Sequence, residues 1–380
     1  MQRAIVHMDL DSFFVSVERL QNRRLKDFPV IVGGGSDRGV VSACSYEARK
    51  FGVHSAMPIK LARQLCPDAT YIRGDMDAYT KYSRLVTDII AEDAPVYEKA
   101  SIDEHYLDIT GMDKFFGNLK WTKELRQKVI RESGLPISFG LSVNKTVSKM
   151  ATNESKPNGE MQVDEKHVQS FIHPMPIQKI PMIGKKTFQV LRSMGVADIG
   201  TLSRIPPEML MNLMGKNGLQ LWNKANGIDF SPVRQYSERK SIGSEHTFDV
   251  DSMDIARMRD LLAGMVEKLA YEIRKDGWVT SVVTVKIRYA NFDTYSMQRK
   301  IAYTTFDHEL IKFSHDLFDA LYTRRMRIRL IGVKFSGLVR GVQQLSLFED
   351  SSRMAELYLA MDNIRKLYGK KAIRRALSFH

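Results

Sequence analysis

The segment AIVHMDLDSFF, Ala4–Phe14, limits the fold of this chain more than any other. Its first half is short, apolar and partly β-branched, the pattern of a buried strand. Yet Asp9 ends that strand, and Asp11 follows two residues later. A carboxylate among apolar neighbours is costly unless a cation or a metal compensates its charge. A fold built on this strand must bury its apolar side chains and still bring positive charge to its end.

A second segment poses the same problem. ASIDEHYLDI, Ala100–Ile109, reads as another apolar strand and carries the adjacent acids Asp103 and Glu104. Neither segment has an Arg or Lys beside its acids. Three carboxylates at the ends of two apolar strands suit one or two Mg²⁺ ions through oxygen ligands. Two such ions can activate an attacking oxygen and stabilise a leaving one in phosphoryl transfer. Acids that cap turns or pair with distant cations are the alternative. Asp103 and Glu104 point to opposite faces of a regular strand. Either the strand ends at Asp103 or one of the two acids is not a ligand, and spacing leaves both open.

Elsewhere Pro29–Gly34, Gly39–Ser45 and Gly134–Asn144 read as strands, with helical patterns over 77–93 and 122–134. Strands alternating with helices predict an α/β or α+β domain up to about residue 165. From 174 to 230 the pattern is short helices broken by Pro174, Pro176, Pro181, Pro206 and Pro207. Residues 231–242 are polar and basic and read as a linker. From 243 to 340 the order is strand, helix, strands, helix, strand. In TSVVTVKIRYA, Thr280–Ala290, Val283, Val285 and Ile287 share one face while Lys286 and Arg288 share the other. That second face suits a phosphate backbone, or is simply solvated.

The 380 residues carry 57 Lys and Arg against 44 Asp and Glu, a net charge of +13. Such an excess points to a polyanionic partner. Nucleic acid stands ahead of membrane, because the N-terminal segment has neither an amphipathic basic helix nor a lipidation motif. No apolar run reaches eighteen residues, so no transmembrane helix is expected, and the first residues lack the features of a signal peptide. Cys44 and Cys66 make no disulfide framework and no zinc cluster. A cytoplasmic protein is expected.

DLDSFF, SYEARKFGV, SIDEHYLD and SKPNG follow one another in that order. With them the chain resembles the Y-family DNA polymerases, most closely the bacterial polymerase IV (DinB-like) branch, over about residues 3–348. The resemblance implies an α+β multidomain fold of right-hand architecture. Its parts would be a palm (1–10 and 75–165), small fingers (11–74) and a helical thumb (166–230). A linker (231–242), an α/β little finger (243–340) and a clamp-binding motif with a C-terminal tail (341–380) would follow. It implies a low-fidelity translesion polymerase without proofreading, working as a monomer on primer–template DNA and deoxynucleoside triphosphates. Asp9, Asp103 and Glu104 would be the catalytic acids and metal ligands, with the Leu10 backbone carbonyl. Two Mg²⁺ ions would be the cofactor, with Mn²⁺ able to substitute. Asp11 is outside that ligand set and reads as a helix N-cap or local turn acceptor.

Phe14 would be a steric gate, excluding a ribose 2′-hydroxyl by clash rather than by attraction. Phe13 would pack near the nucleotide or into the core. Tyr46, Arg49 and Lys156 would contact the triphosphate, and the small pair Val40 and Ser42 would cover the nascent base pair loosely. His105 departs from the small residue that many relatives carry, and is expected to face away as a spectator.

IQKIPMIGKKTFQVLRSMGV, Ile177–Val196, resembles a helix–hairpin–helix, in which Gly184, Lys185 and Lys186 open a helix whose amides bind phosphate. Arg239 and Lys240, in the stretch that matches the little-finger entrance, and Lys286 and Arg288 are the other expected DNA contacts. QLSLF resembles the bacterial sliding-clamp motif, with Gln344 as polar anchor and Leu345, Leu347 and Phe348 as apolar plugs. The helical pattern after residue 352 would rest on the little finger, contact DNA or move freely. The rival readings are a polymerase V type subunit that needs accessory proteins, a non-catalytic clamp-docked scaffold, and a metal-dependent nuclease.

Overall fold

The computed structural model describes residues 3–112, 117–236, 238–341, 351–369 and 372–373. The chain forms two compact units, Met1–Ser237 and Glu238–His380.

In the first unit β1 (Ile5–Leu10) leads to α1 (Phe13–Gln21), β2 (Val30–Gly33), β3 (Val41–Cys44), α2 (Tyr46–Arg49), α3 (Ile59–Leu65) and β4 (Thr70–Ile72). Then come α4 (Met76–Asp93), β5 (Tyr97–Lys99), β6 (Glu104–Asp108), α5 (Asn118–Ser133), β7 (Ile137–Ser142), α6 (Lys145–Ser155) and β8 (Glu160–Gln162). The main sheet has the order β5-β6-β1-β7-β8, so the acid-bearing β1 is its middle strand. It runs antiparallel to both neighbours. A smaller sheet, β3-β2-β4, has its own core around Ile31, Val41 and Ile59.

Alternation divides the large sheet into two faces. Val6, Met8 and Leu10 join the core formed with Val86 and Ile90 of α4 and Leu125 and Val129 of α5. Buried residues of α4 recur at Tyr79, Ser83, Val86 and Ile90, one helical stripe, and Asp75 caps the helix by accepting from Asp77 N and Ala78 N. The other face carries His7 and Asp9 and lies under α6. That close approach depends on Gly140, where an added Cβ would stand 2.2 Å from Ser148 O and 2.6 Å from Thr152 N.

Helices α7 (Val168–Ile172), α8 (Lys185–Ser193), α9 (Ile199–Ser203), α10 (Pro207–Met214) and α11 (Lys216–Ala225) complete the unit around a core that includes Ile172, Leu191 and Leu210. The segment read as a linker is packed rather than free over 231–236. Val233 is buried against Ile5 and Tyr106, Arg3 donates to Ser231 O at 2.9 Å, and Arg234 N donates to Glu98 at 2.8 Å.

The second unit contains β9 (Ser241–Ser252), α12 (Ile255–Lys275), β10 (Trp278–Tyr289), β11 (Thr294–Thr304), α13 (Asp307–Leu321), β12 (Ile328–Ser336), β13 (Val339–Arg340) and α14 (Ser351–Tyr368). Its antiparallel sheet, β11-β10-β12-β9, is covered on one face by α12 and α13. The tail helix α14 rests on this unit. Tyr358 is buried with its hydroxyl accepting from His308 N at 3.1 Å. Arg274 of α12 bridges Asp307 at 2.6 Å and Asp362 of α14 at 2.7 and 3.1 Å. Among the described residues no helix is long and apolar enough to cross a membrane.

Candidate active site

Asp9 stands opposite Glu104 in the β1–β6 register and opposite Ser138 in the β1–β7 register. Strand β6 begins only at Glu104, later than the Ala100–Ile109 reading expected, so Asp103 and Glu104 are not successive residues of one regular strand. Asp103 lies in the bend before the strand. Its Oδ1 accepts from Ser101 Oγ at 2.5 Å, and Leu10 N donates to Asp103 O at 3.1 Å. The two acid-bearing segments are thereby tied together at the end of the strand pair.

The missing counter-charge comes from α6, more than forty residues downstream of the nearer acids. Lys149 holds both oxygens of Glu104, at 2.8 and 2.6 Å, and Lys156 pairs with Asp9. Asp9 is only 6% exposed. Burial pushes its carboxyl up to about 7, against the pull of Lys156 and with a further push from Asp103 and Glu104. Burial also opposes the charge of Glu104, but the Lys149 ammonium on both its oxygens outweighs it and holds that carboxyl below the usual range. One oxygen each from Asp9 and Glu104 and one nitrogen of His7 lie within 4.8 Å of one another. Oxygen donors this close, one of them on a carboxyl that burial alone disfavours as an anion, fit a hard divalent cation.

Asp11 does not cap α1. The N-cap is Ser12, in the left-handed region with no side-chain bond. Asp11 is buried instead and accepts from Ser138 Oγ at 3.0 and 2.9 Å, Asn158 N at 2.7 Å and the Tyr46 hydroxyl at 3.3 Å. It joins α2 to the main sheet and to the turn after α6. Arg126 braces the same turn, donating to Asn158 O at 2.9 Å and Glu160 at 3.0 Å.

Tyr46, Arg49 and Lys156 line one cavity of about 500 Å³ together with Lys149, Asn153 and Lys179. The exposed Arg49 guanidinium lies 4.7 Å over the Tyr46 ring. Phe13 is buried in the core. Phe14 is half-buried and stacks on Tyr79 with ring centroids 4.2 Å apart and 10° between planes. The Tyr79 hydroxyl donates to Glu18 at 2.5 Å. Val40, which bridges to Pro58 just before β3, and Ser42 within β3 are both exposed. His105 is buried on the opposite face from Glu104, its Nε2 3.0 Å from Thr87 Oγ1. Burial first, and Lys99 second, push that imidazole down to about 3.

Gly184 is the N-cap of α8, with open space where a Cβ would be, and Lys185 and Lys186 are exposed on the first turn. The unusual backbone in this turn belongs to Met182, at φ 81 and 87% exposed. In the second unit Arg239 is 3.6 Å from Asp276, Lys286 is 2.8 Å from Glu245, and Arg288 donates to Thr294 at 2.8 Å, while Lys240 is exposed. Gln344, Leu345, Leu347 and Phe348 lie outside the described residues. Lys149, Tyr79 and Asn158 were missed in the sequence. Only the position of Lys149 seven residues before Lys156, on the helix that leads to it, could have exposed the first.

Two family models match the chain, the impB/mucB/samB family over residues 8–153 and its C-terminal domain over 239–347. DNA polymerase IV of Dehalococcoides mccartyi is 36% identical, covering 99% of this chain and 98% of that protein. DNA polymerase IV of Treponema denticola is 34% identical, over 99% and 96%. Among solved structures, a Y-family DNA polymerase chimera of Dbh and Dpo4 matches with a TM-score of 0.81 at 28% identity, covering 89% of this chain and all of the other. DinB from Sulfolobus solfataricus matches with a TM-score of 0.61 at 26% identity over the same shares. Matched at both ends by the family models and along nearly its whole length by such relatives, the chain belongs to the Y-family DNA polymerases, in the DNA polymerase IV branch.

Proposed function

We propose that this translesion DNA polymerase extends a primer on templated DNA with Asp9, Asp103 and Glu104 as its catalytic carboxylates. The observation that carries the reading is the register pairing of Asp9 with Glu104, beside Asp103 and next to the cavity of Tyr46, Arg49 and Lys156. Enzymes of the family generally depend on a divalent metal, and the donor set here suits Mg²⁺, held by the three carboxylates and the Leu10 carbonyl. When bound, two such ions supply the charge that favours the primer 3′-oxygen as nucleophile and pyrophosphate as leaving group.

The protein's own residues do the rest by positioning and electrostatics. Arg49 and Lys156 bind the triphosphate oxygens, the first with a planar fork and the second as a point charge. The Tyr46 hydroxyl, held near Asp11, turns its one proton to a phosphate oxygen when the triphosphate binds. Phe14, backed by Tyr79, occupies the space that a 2′-hydroxyl needs. The helix α8 opening at Gly184, Lys185 and Lys186 holds backbone phosphate without reading sequence, as do Arg239, Lys240, Lys286 and Arg288. The QLSLF segment docks on the bacterial sliding clamp, and the chain works as a cytoplasmic monomer without proofreading.

Primer extension by the purified chain with Mg²⁺ tests this. The wild type should extend with deoxynucleotides alone. Asp103→Ala should lose at least about a thousandfold in rate while its gel-shift affinity for primer–template stays within about twofold. Retained extension in that variant would remove Asp103 from the reaction. No extension by folded, DNA-bound wild type would favour the accessory-dependent reading.

A further inference from the structure

The imidazole of His7 is fully buried on the acid-bearing face of β1, two residues before Asp9. Its Nδ1 is 2.8 Å from Thr152 Oγ1. That hydroxyl has one proton, and two backbone acceptors face it, His7 O at 3.0 Å and Ser148 O at 2.9 Å. With that proton on either carbonyl, Thr152 accepts from the ring, and the ring proton is assigned to Nδ1. Nε2 is left as a bare lone pair without a hydrogen-bond partner, 3.8 Å from Glu104 Oε2.

A lone pair turned toward a carboxylate is repulsive unless a cation lies between them. The nearby ammonium groups sit on the carboxylates themselves, Lys149 on Glu104 and Lys156 on Asp9, and neither donates to Nε2. The ring is fixed from both sides. Tyr106 packs against it with centroids 4.6 Å apart, and Thr152 anchors its other nitrogen. Metal-ligating histidines are typically oriented in this way, by a protein oxygen on the far N–H. Nε2 and an oxygen from each of Asp9 and Glu104 lie within 4.8 Å of one another.

We infer that His7 Nε2 is a nitrogen donor to a divalent cation at Asp9 and Glu104, making a mixed nitrogen–oxygen site for first-row transition ions. The inference rests on the metal reading of those two acids. Mg²⁺ takes oxygen ligands and leaves the imidazole unused, whereas Mn²⁺, Co²⁺ and Zn²⁺ accept it. The lysines now on the carboxylates have flexible stems and can yield their places to such an ion.

The test is Mn²⁺ titration of the full chain without DNA, followed by electron spin-echo spectroscopy of the bound ion. Histidine-selective ¹⁵N labelling identifies an imidazole coupling. The expected result is a histidine nitrogen coupling that disappears in His7→Phe, with about a tenfold fall in Mn²⁺ affinity and under about twofold in Mg²⁺ affinity measured by competition. Thr152→Val, which frees the ring without removing it, should weaken Mn²⁺ about tenfold and leave Mg²⁺ alone. Should His7→Phe fail to fold, the wild-type spectrum and Thr152→Val decide the matter. Mn²⁺ bound in an Asp9-dependent way without histidine coupling overturns the role of His7 and keeps the metal reading. Mn²⁺ binding indifferent to Asp9→Asn overturns both.

Discussion

Phe14 lies flat on Tyr79, whose own hydroxyl is held by Glu18, so the position of the proposed gate ring is set by two side chains outside its motif. Truncating it forfeits stacking worth about 0.5–1.5 kcal/mol beyond area burial, a loss that the core around Phe13 and Val15 can absorb. Phe14→Ala should therefore fold and admit ribonucleotides at least about tenfold more readily. Unchanged sugar discrimination in single-nucleotide kinetics would end its assignment as a gate. Asp9 carries a second prediction, for the metal-free protein. Its folded value, near 7, stands above that of the unfolded chain, so the native state holds the extra proton between about pH 4 and 7. Stability from this group is complete at the acid end and is lost as pH rises through that window. Asp9→Asn in EDTA should remove that decline, seen as a thermal midpoint that falls less than the wild type's from pH 5 to 7. Equal slopes in the two proteins would show that Asp9 is not perturbed. The proposed acids and gate could be picked out in the sequence because their motif is local. The role of Asp11 was not, because its partners Tyr46, Ser138 and Asn158 are 35, 127 and 147 residues away.

At the scale of elements, α6 supplies Lys149, Thr152 and, at its end, Lys156. Its seat is Gly140, where even one methyl meets backbone rather than a yielding side chain. Gly140→Ala should cost about 1–3 kcal/mol and lift α6, so extension should fall by at least about tenfold while circular dichroism stays native. Full activity would mean that α6 can move without harm. Strands β1 and β7 were legible as short apolar runs, buried at every residue, and α4 from its helical stripe, while the three-residue strands β4, β5 and β8 were not. The start of β6 was not, because the Ser101 hydroxyl, accepting from Asp103 N and Glu104 N, decides where pairing begins. The docking of 231–236 was hidden as well, since it rests on backbone bonds and one valine.

For the whole molecule, the two units have separate cores and separate sheets. The second extends to α14, pinned by Arg274, which is 12% exposed. Removing one partner of a buried ion pair costs about 3–5 kcal/mol. Asp362 is itself 17% exposed, so roughly 3 kcal/mol is expected. Asp362→Ala should loosen α14, read as faster proteolysis after residue 351, with basal extension within about twofold of wild type. Unchanged proteolysis would mean that Tyr358 alone suffices. The sequence left this helix open among three placements because its buried side, Tyr358, Asp362 and Arg365, is largely polar and gives no apolar stripe.

The pairing of Asp9 with Glu104 has a consequence for any preparation of the protein. A slip of β1 by one residue against its neighbours would exchange Asp9 for Met8, sending a carboxylate into the company of Val86 and Leu125 and a thioether to the lysines of α6. No misaligned sheet can keep a weakened version of this centre. Where that pairing makes the working centre, a count of active molecules is also a count of correctly folded chains.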